Sequence, residues 1–144
     1  MTGFERWSVW ISAAAVSVTG VGFMWTKYFV TPTEPWAVVS HPLEPWFLKT
    51  HILFAPALVF AVGLIVIRHI VPHIVRGVQR GRRSGLVMVW TLVPMVVSGY
   101  LIQVVTLPWL LTAFVVLHIV TSGLFLAGIL GHALFAALGV RKPE

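Results

Sequence analysis

The stretch FLKTHILFAPALVFAVGLIVIRHI, residues 47–70, decides the fold. Between Lys49 and Arg68 it holds no Asp, Glu, Lys or Arg. A run of that kind crosses a bilayer as one helix, which takes roughly 20 residues at about 1.5 Å rise each. Working outward, three further segments meet the same test, near 7–29, 86–106 and 109–138. With 58% of its 144 residues hydrophobic and 10% charged, the chain is far more apolar than a soluble domain. The expectation is a single all-α membrane domain, an up-down-up-down bundle of four transmembrane helices. The first segment reads as a retained span and not a signal peptide, because SAAAVS lies in its middle and not after a short apolar core.

Charge sets the expected orientation. The connection 71–85 carries Arg76, Arg80, Arg82 and Arg83 with no acidic residue, and Arg68 lies just before it. The positive-inside rule places that loop in the cytoplasm. An even number of spans then puts both termini inside as well, in agreement with Arg141 and Lys142. The implied location is a bacterial cytoplasmic membrane, crossed four times. Trp7, Trp10 and Trp90 fall near the expected inner interface, and Trp25, Trp36, Trp46, Tyr100 and Trp109 near the outer one. Pro56 and Pro94 sit inside spans two and three and are expected to bend them. The one repeat visible along the chain is the doubled EPW at 34–36 and 44–46, whose prolines stiffen the outer loop above the second span. His41 and Glu44 in that loop are candidates for receiving protons or meeting a docked partner.

The absence of cysteine excludes disulfides, thiolate zinc, iron–sulfur clusters and covalently attached haem. Six histidines are then the main candidate ligands, at 41, 51, 69, 73, 118 and 132, with none in spans one and three. His51 and His69 are eighteen residues apart, about five whole helical turns and about 27 Å, so an unbroken helix presents both on one face. His118 and His132 are fourteen apart, which returns them to within about 40° of each other over roughly 21 Å. Spans two and four run in the same direction, so His51 matches His118 toward the outside and His69 matches His132 toward the inside. Two imidazoles at one depth suit the axial positions of a haem iron, and two layers imply two haem b groups. The unequal separations have to be absorbed by tilt or by the bend at Pro56, unless His73 serves the inner layer. Gly63, Gly123, Gly128 and Gly131 are small enough to let a porphyrin approach. Haem propionates need positive partners, for which Lys49 and Lys27 outside and Arg68 and Arg76 inside are placed. These four equally read as interface residues whose charged ends reach for water. The histidines themselves read, in the plainer alternative, as polar groups hydrogen-bonded between helices. A zinc or copper site competes for the same side chains but has no carboxylate or sulfur beside it.

The stretch LHIVTSGLFLAGILGH, residues 117–132, resembles the ligand-bearing helix of small membrane-embedded di-haem b-type cytochromes, the cytochrome subunits of respiratory formate dehydrogenases and nickel-iron hydrogenases among them. His118 and His132 stand in the places of that helix's two histidines. HPLEPWFLKTHILFAPALVFAVGLIVIRH (41–69) and PMVVSGYLIQVV (94–105) also look like short bacterial four-span proteins of this kind. One departure is that the formate dehydrogenase type takes an outer ligand from the first span, which here has no histidine, so His51 has to substitute. The resemblance implies electron transfer between the quinone pool and a redox partner on the outer face, such as a multihaem cytochrome or an iron–sulfur protein. It makes the chain a membrane-anchor, quinone-reactive subunit of an oxidoreductase with no nucleic-acid role, and it puts a quinone near His132, His69 and His73. The rival classes are a non-haem structural or assembly subunit and a small metal or haem transporter. The transporter lacks any intramembrane carboxylate or inverted repeat to support it.

Overall fold

The computed structural model describes residues 1–32, 34, 36–77 and 82–137, with the side chains of 82 and 135–137 left aside. The described residues form helices α1 (Gly3–Tyr28), α2 (Glu44–Ile65), α3 (Val71–Val75), α4 (Arg82–Leu101) and α5 (Pro108–Ala137), with a π-helical segment, Val66–Ile70, joining α2 to α3. There is no strand among them. Taken with the π-helical segment and α3, α2 is one span of 32 residues, so four helices are long and apolar enough to cross a membrane. Apolar side chains stay exposed along all four, and all seven tryptophans are exposed. In water such a surface would drive aggregation, whereas lipid tails accept it. The chain is a multi-pass membrane protein.

Boundaries differ from the sequence expectation where local chemistry acts. α1 begins at Gly3 and not near 7, because Thr2 and Glu5 form a reciprocal capping box. The Thr2 amide donates to Glu5 Oε2 at 2.7 Å and the Glu5 amide to Thr2 Oγ1 at 3.2 Å. α2 begins at Glu44 with Pro45 in its first turn, a place where a missing N–H costs nothing. Helical structure continues to Val75 and ends at Gly77, whose φ of 63° suits glycine. Of the expected loop 71–85, residues 71–75 and 82–85 are helical, and Arg80 falls outside the described residues. α4 stops at Leu101 and not at 106, as the amides of Ile102 to Val105 close successive turns onto Ser98, Tyr100 and Leu101. The expected fourth span ends one residue past α5, and Arg141 and Lys142 lie outside the described residues.

The chain divides into two compact units, Met1–Val71 and Pro72–Glu144. Each is a helical hairpin, α1 against α2 in the first and α4 against α5 in the second. Small hydroxyl residues recur every seven positions on the first helix of each: Ser12, Thr19 and Thr26 on α1, and Ser84, Thr91 and Ser98 on α4. Ser12, Thr19, Thr26, Thr91 and Ser98 donate to the backbone carbonyl four residues earlier, at 2.6 to 3.0 Å. That bond consumes the hydroxyl proton and leaves a short side chain over which a second helix can pack closely. Opposite them, also at sevens, stand His51, Leu58 and Ile65 on α2, and His118, Phe125 and His132 on α5. Ala61 and Gly128 fill the intervening narrow places, with Met88 Cγ only 2.7 Å from where a Cβ on Gly128 would lie. Seven-residue spacing is the period at which two helices keep one seam in contact. The two hairpins thus repeat one design, with a shift of 79 positions between first helices and 67 between second helices. The doubled EPW is not the chain's main repeat.

Ion pairs close both ends of the first hairpin. Arg68 Nη1 meets Glu5 Oε1 at 3.4 Å, and Lys27 Nζ meets Glu44 Oε1 at 3.3 Å. Both carboxylates are buried and both have a backbone amide as second partner, Thr2 for Glu5 and Ser40 for Glu44 at 2.9 Å.

Candidate functional site

The helical register dictates where the histidines go. On α2 and α5 they belong to the stripe that faces the other helix of the same hairpin. In the first hairpin the His51 Nδ1–H donates to the Val16 carbonyl at 3.0 Å and lies 3.5 Å from Thr19 Oγ1. In the second the His118 Nδ1–H donates to the Met95 carbonyl at 2.9 Å and lies 3.4 Å from Ser98 Oγ. A carbonyl cannot donate, so the proton in each bond belongs to the imidazole, and the ring's lone pair falls on Nε2. The hydroxyls fit this direction because their own protons are directed most closely to the Ala15 and Pro94 carbonyls, at 2.7 and 2.6 Å, with longer contacts to the Val16 and Met95 carbonyls at 3.2 and 3.0 Å. A glycine completes each contact. A Cβ on Gly20 would lie 2.9 Å from His51 Cε1, and one on Gly99 3.0 Å from His118 Cε1.

The lower pair is less alike. His132 Nδ1 lies 3.3 Å from Ser84 Oγ, fourteen residues before Ser98, so the second hairpin keeps a hydroxyl beside both of its histidines. In the first hairpin the position equivalent to His132 is Ile65, and Glu5 stands where Ser84 does. His69 comes four residues after Ile65, inside the π-helical segment. There the Val71 amide reaches the carbonyl of Val66, five residues back, and the wider turn rotates each residue by less than the roughly 100° of an α-helix. The segment has a local cause: Pro72 cannot donate to the Arg68 carbonyl and crowds it, and widening the turn relieves the clash. The regular-helix count that aligned His51 with His69 therefore carries a phase error of some tens of degrees.

The other residues singled out from sequence fall as follows. Lys49 Nζ rests 5.8 Å above the Trp46 ring. Arg68 and Lys27 are paired with Glu5 and Glu44, although the Arg68 side chain is still 70% exposed. His41 Nδ1 accepts from the Leu43 amide at 3.1 Å and the His41 carbonyl from the Glu44 amide, so His41 shapes the turn into α2. His73 is exposed on α3. A Cβ at Gly63, Gly123 or Gly131 would meet no described atom within 4 Å, whereas Gly128 is consumed in helix packing. The glycines that touch histidines, Gly20 and Gly99, lie on the histidine-free helices. The sequence signal for them is a Thr-Gly or Ser-Gly pair within a seven-residue hydroxyl series. No three His, Asp or Glu side chains gather among the described residues.

Fold and site together define an all-helical multi-pass membrane protein that carries half-buried imidazoles at repeated positions. No protein-family profile matches the sequence, and no curated protein or solved structure is similar to it.

Proposed function

We propose that the chain is a di-haem b-type cytochrome, the membrane-anchor subunit of a respiratory oxidoreductase, passing electrons between the quinone pool and a redox partner on the outer face of a bacterial cytoplasmic membrane. In this reading His51 and His118 hold the outer haem iron, and His69 and His132 the inner. The observation that carries it is the shared state of His51 and His118, each with Nδ1–H on a backbone carbonyl of the neighbouring helix. Metal-ligating histidines almost always donate their second ring nitrogen in this way, which orients the ring and makes Nε2 the stronger donor. The haems would supply one-electron chemistry, and two axial imidazoles would leave no open iron position for oxygen. Lys49, on the outer side, and the exposed guanidinium of Arg68, on the inner side, are the proposed propionate partners.

The cross-helix hydrogen bonds also favour a second reading, in which the histidines only fasten the hairpins of a structural or assembly subunit. One experiment separates the two: an optical spectrum of detergent-purified protein, oxidised and then dithionite-reduced, after expression with haem supplied. Sharp b-type bands are expected on reduction. Their absence would sink the cytochrome reading and leave the structural one.

A further inference from the structure

Two hairpins with little sequence in common bring the same five groups together, an imidazole and four others. In the first these are the carbonyls of Ala15 and Val16, the Thr19 hydroxyl, the bare Cα of Gly20, and His51; in the second they are Pro94, Met95, Ser98, Gly99 and His118. The geometry explains why glycine follows the hydroxyl. A helical side chain covers the turn before its own Cα, so a Cβ at position i shields the carbonyl at i−4. Gly20 and Gly99 remove that cover from the carbonyls of Val16 and Met95, four residues back. Each carbonyl already accepts its own helical amide and has a second lone pair for the ring. The hydroxyl one residue earlier, its proton fixed on an i−4 carbonyl, turns a lone pair toward the same N–H.

We infer that Thr19–Gly20 and Ser98–Gly99 are positioning pairs that hold the protons of His51 and His118 on Nδ1 and fix the planes of both rings. They act through the histidines and touch no ligand themselves. Neutral histidine in water favours the proton on Nε2, so the seats reverse an intrinsic preference, and they do so before any ligand binds. The tautomers stand whether or not a haem binds; the use of Nε2 as an iron ligand rests on the cytochrome reading.

The test is nitrogen-15 NMR of histidine-labelled full-length protein in micelles, expressed without added haem and held above the imidazole titration range. Removal of His51 or His118 one at a time assigns the signals. Both rings are expected as the Nδ1–H tautomer. Gly20→Ala should return His51 to the Nε2–H form or a mixture while leaving His118 unchanged, and Gly99→Ala should do the converse. Thr19→Ser and Ser98→Thr should preserve the wild-type pattern. A wild-type spectrum with either proton on Nε2 overturns the inference even if an alanine variant fails to fold, as does an alanine variant that folds and keeps Nδ1–H. A protein with both Nδ1–H tautomers but no haem bands retains the seats and loses the cytochrome function.

Discussion

At the level of single residues, the half-buried imidazoles and the glycines against them carry the specificity of each hairpin. A methyl group at Gly20 would come within 2.9 Å of a ring atom, closer than packed atoms allow, so α1 and α2 must separate or the ring must leave its carbonyl. Gly20→Ala and Gly99→Ala are each expected to lower stability by about 1–3 kcal/mol, the usual cost of overpacking, in denaturant titration of the micellar protein. Gly63→Ala, which adds its Cβ to open space, should be neutral or slightly stabilising through helix propensity. Equal small gains at all three would show that the glycines act only through helix propensity. On the proposed ligation, His132→Ala should abolish the inner haem signal and retain the outer one, read as the haem-to-protein ratio and the reduced spectrum. Loss of the outer signal alone would overturn the layer assignment. The histidines were legible in sequence as candidates because titratable groups are scarce in an apolar chain. Their glycine partners were not, since a glycine reveals a close approach only when the neighbouring helix is in place.

Elements depend on how their ends are secured. Glu44 accepts from Ser40 and pairs with Lys27 while buried, whereas Lys27 remains 45% exposed. Removing the buried acceptor leaves an amide and a cation unsatisfied, while removing the exposed partner costs little. Glu44→Ala is therefore expected to destabilise by about 1–3 kcal/mol and Lys27→Ala by less than about 1 kcal/mol, again by denaturant titration. Thr2→Ala should loosen the first turn of α1 at a cost of about 1 kcal/mol, seen as faster amide exchange at Glu5. The π-helical segment follows from Pro72, so Pro72→Ala should let an α-helical bond form from residue 72 to the Arg68 carbonyl, with new amide protection at residue 72. The span of α2 was readable from its apolar run. Its widened turn was not, because a proline near the end of a helix signals either a stop or a bulge, and packing chooses between them.

On the scale of the whole molecule, the repeated hairpin is the main organising fact. Both first helices carry hydroxyls every seven residues, and both second helices place a histidine, then Leu58 or Phe125, then Ile65 or His132 at the same period. The upper seat is duplicated and the lower one is not: Ser84 and His132 in one hairpin correspond to Glu5 and Ile65 in the other, with Arg68 on the carboxylate. If the cytochrome reading holds, loss of His51 and loss of His118 should each remove the same haem, while His73→Ala should leave both. Different haems lost by the two variants would overturn the pairing. Composition alone determined that this chain is helical and lives in a bilayer, because apolar runs of this length have no other way to satisfy their backbone. Only tertiary structure decided which face of each histidine helix is covered and by what. Periodicity locates a stripe on a helix but does not name its partner, and each stripe met the hydroxyl–glycine series of its own hairpin.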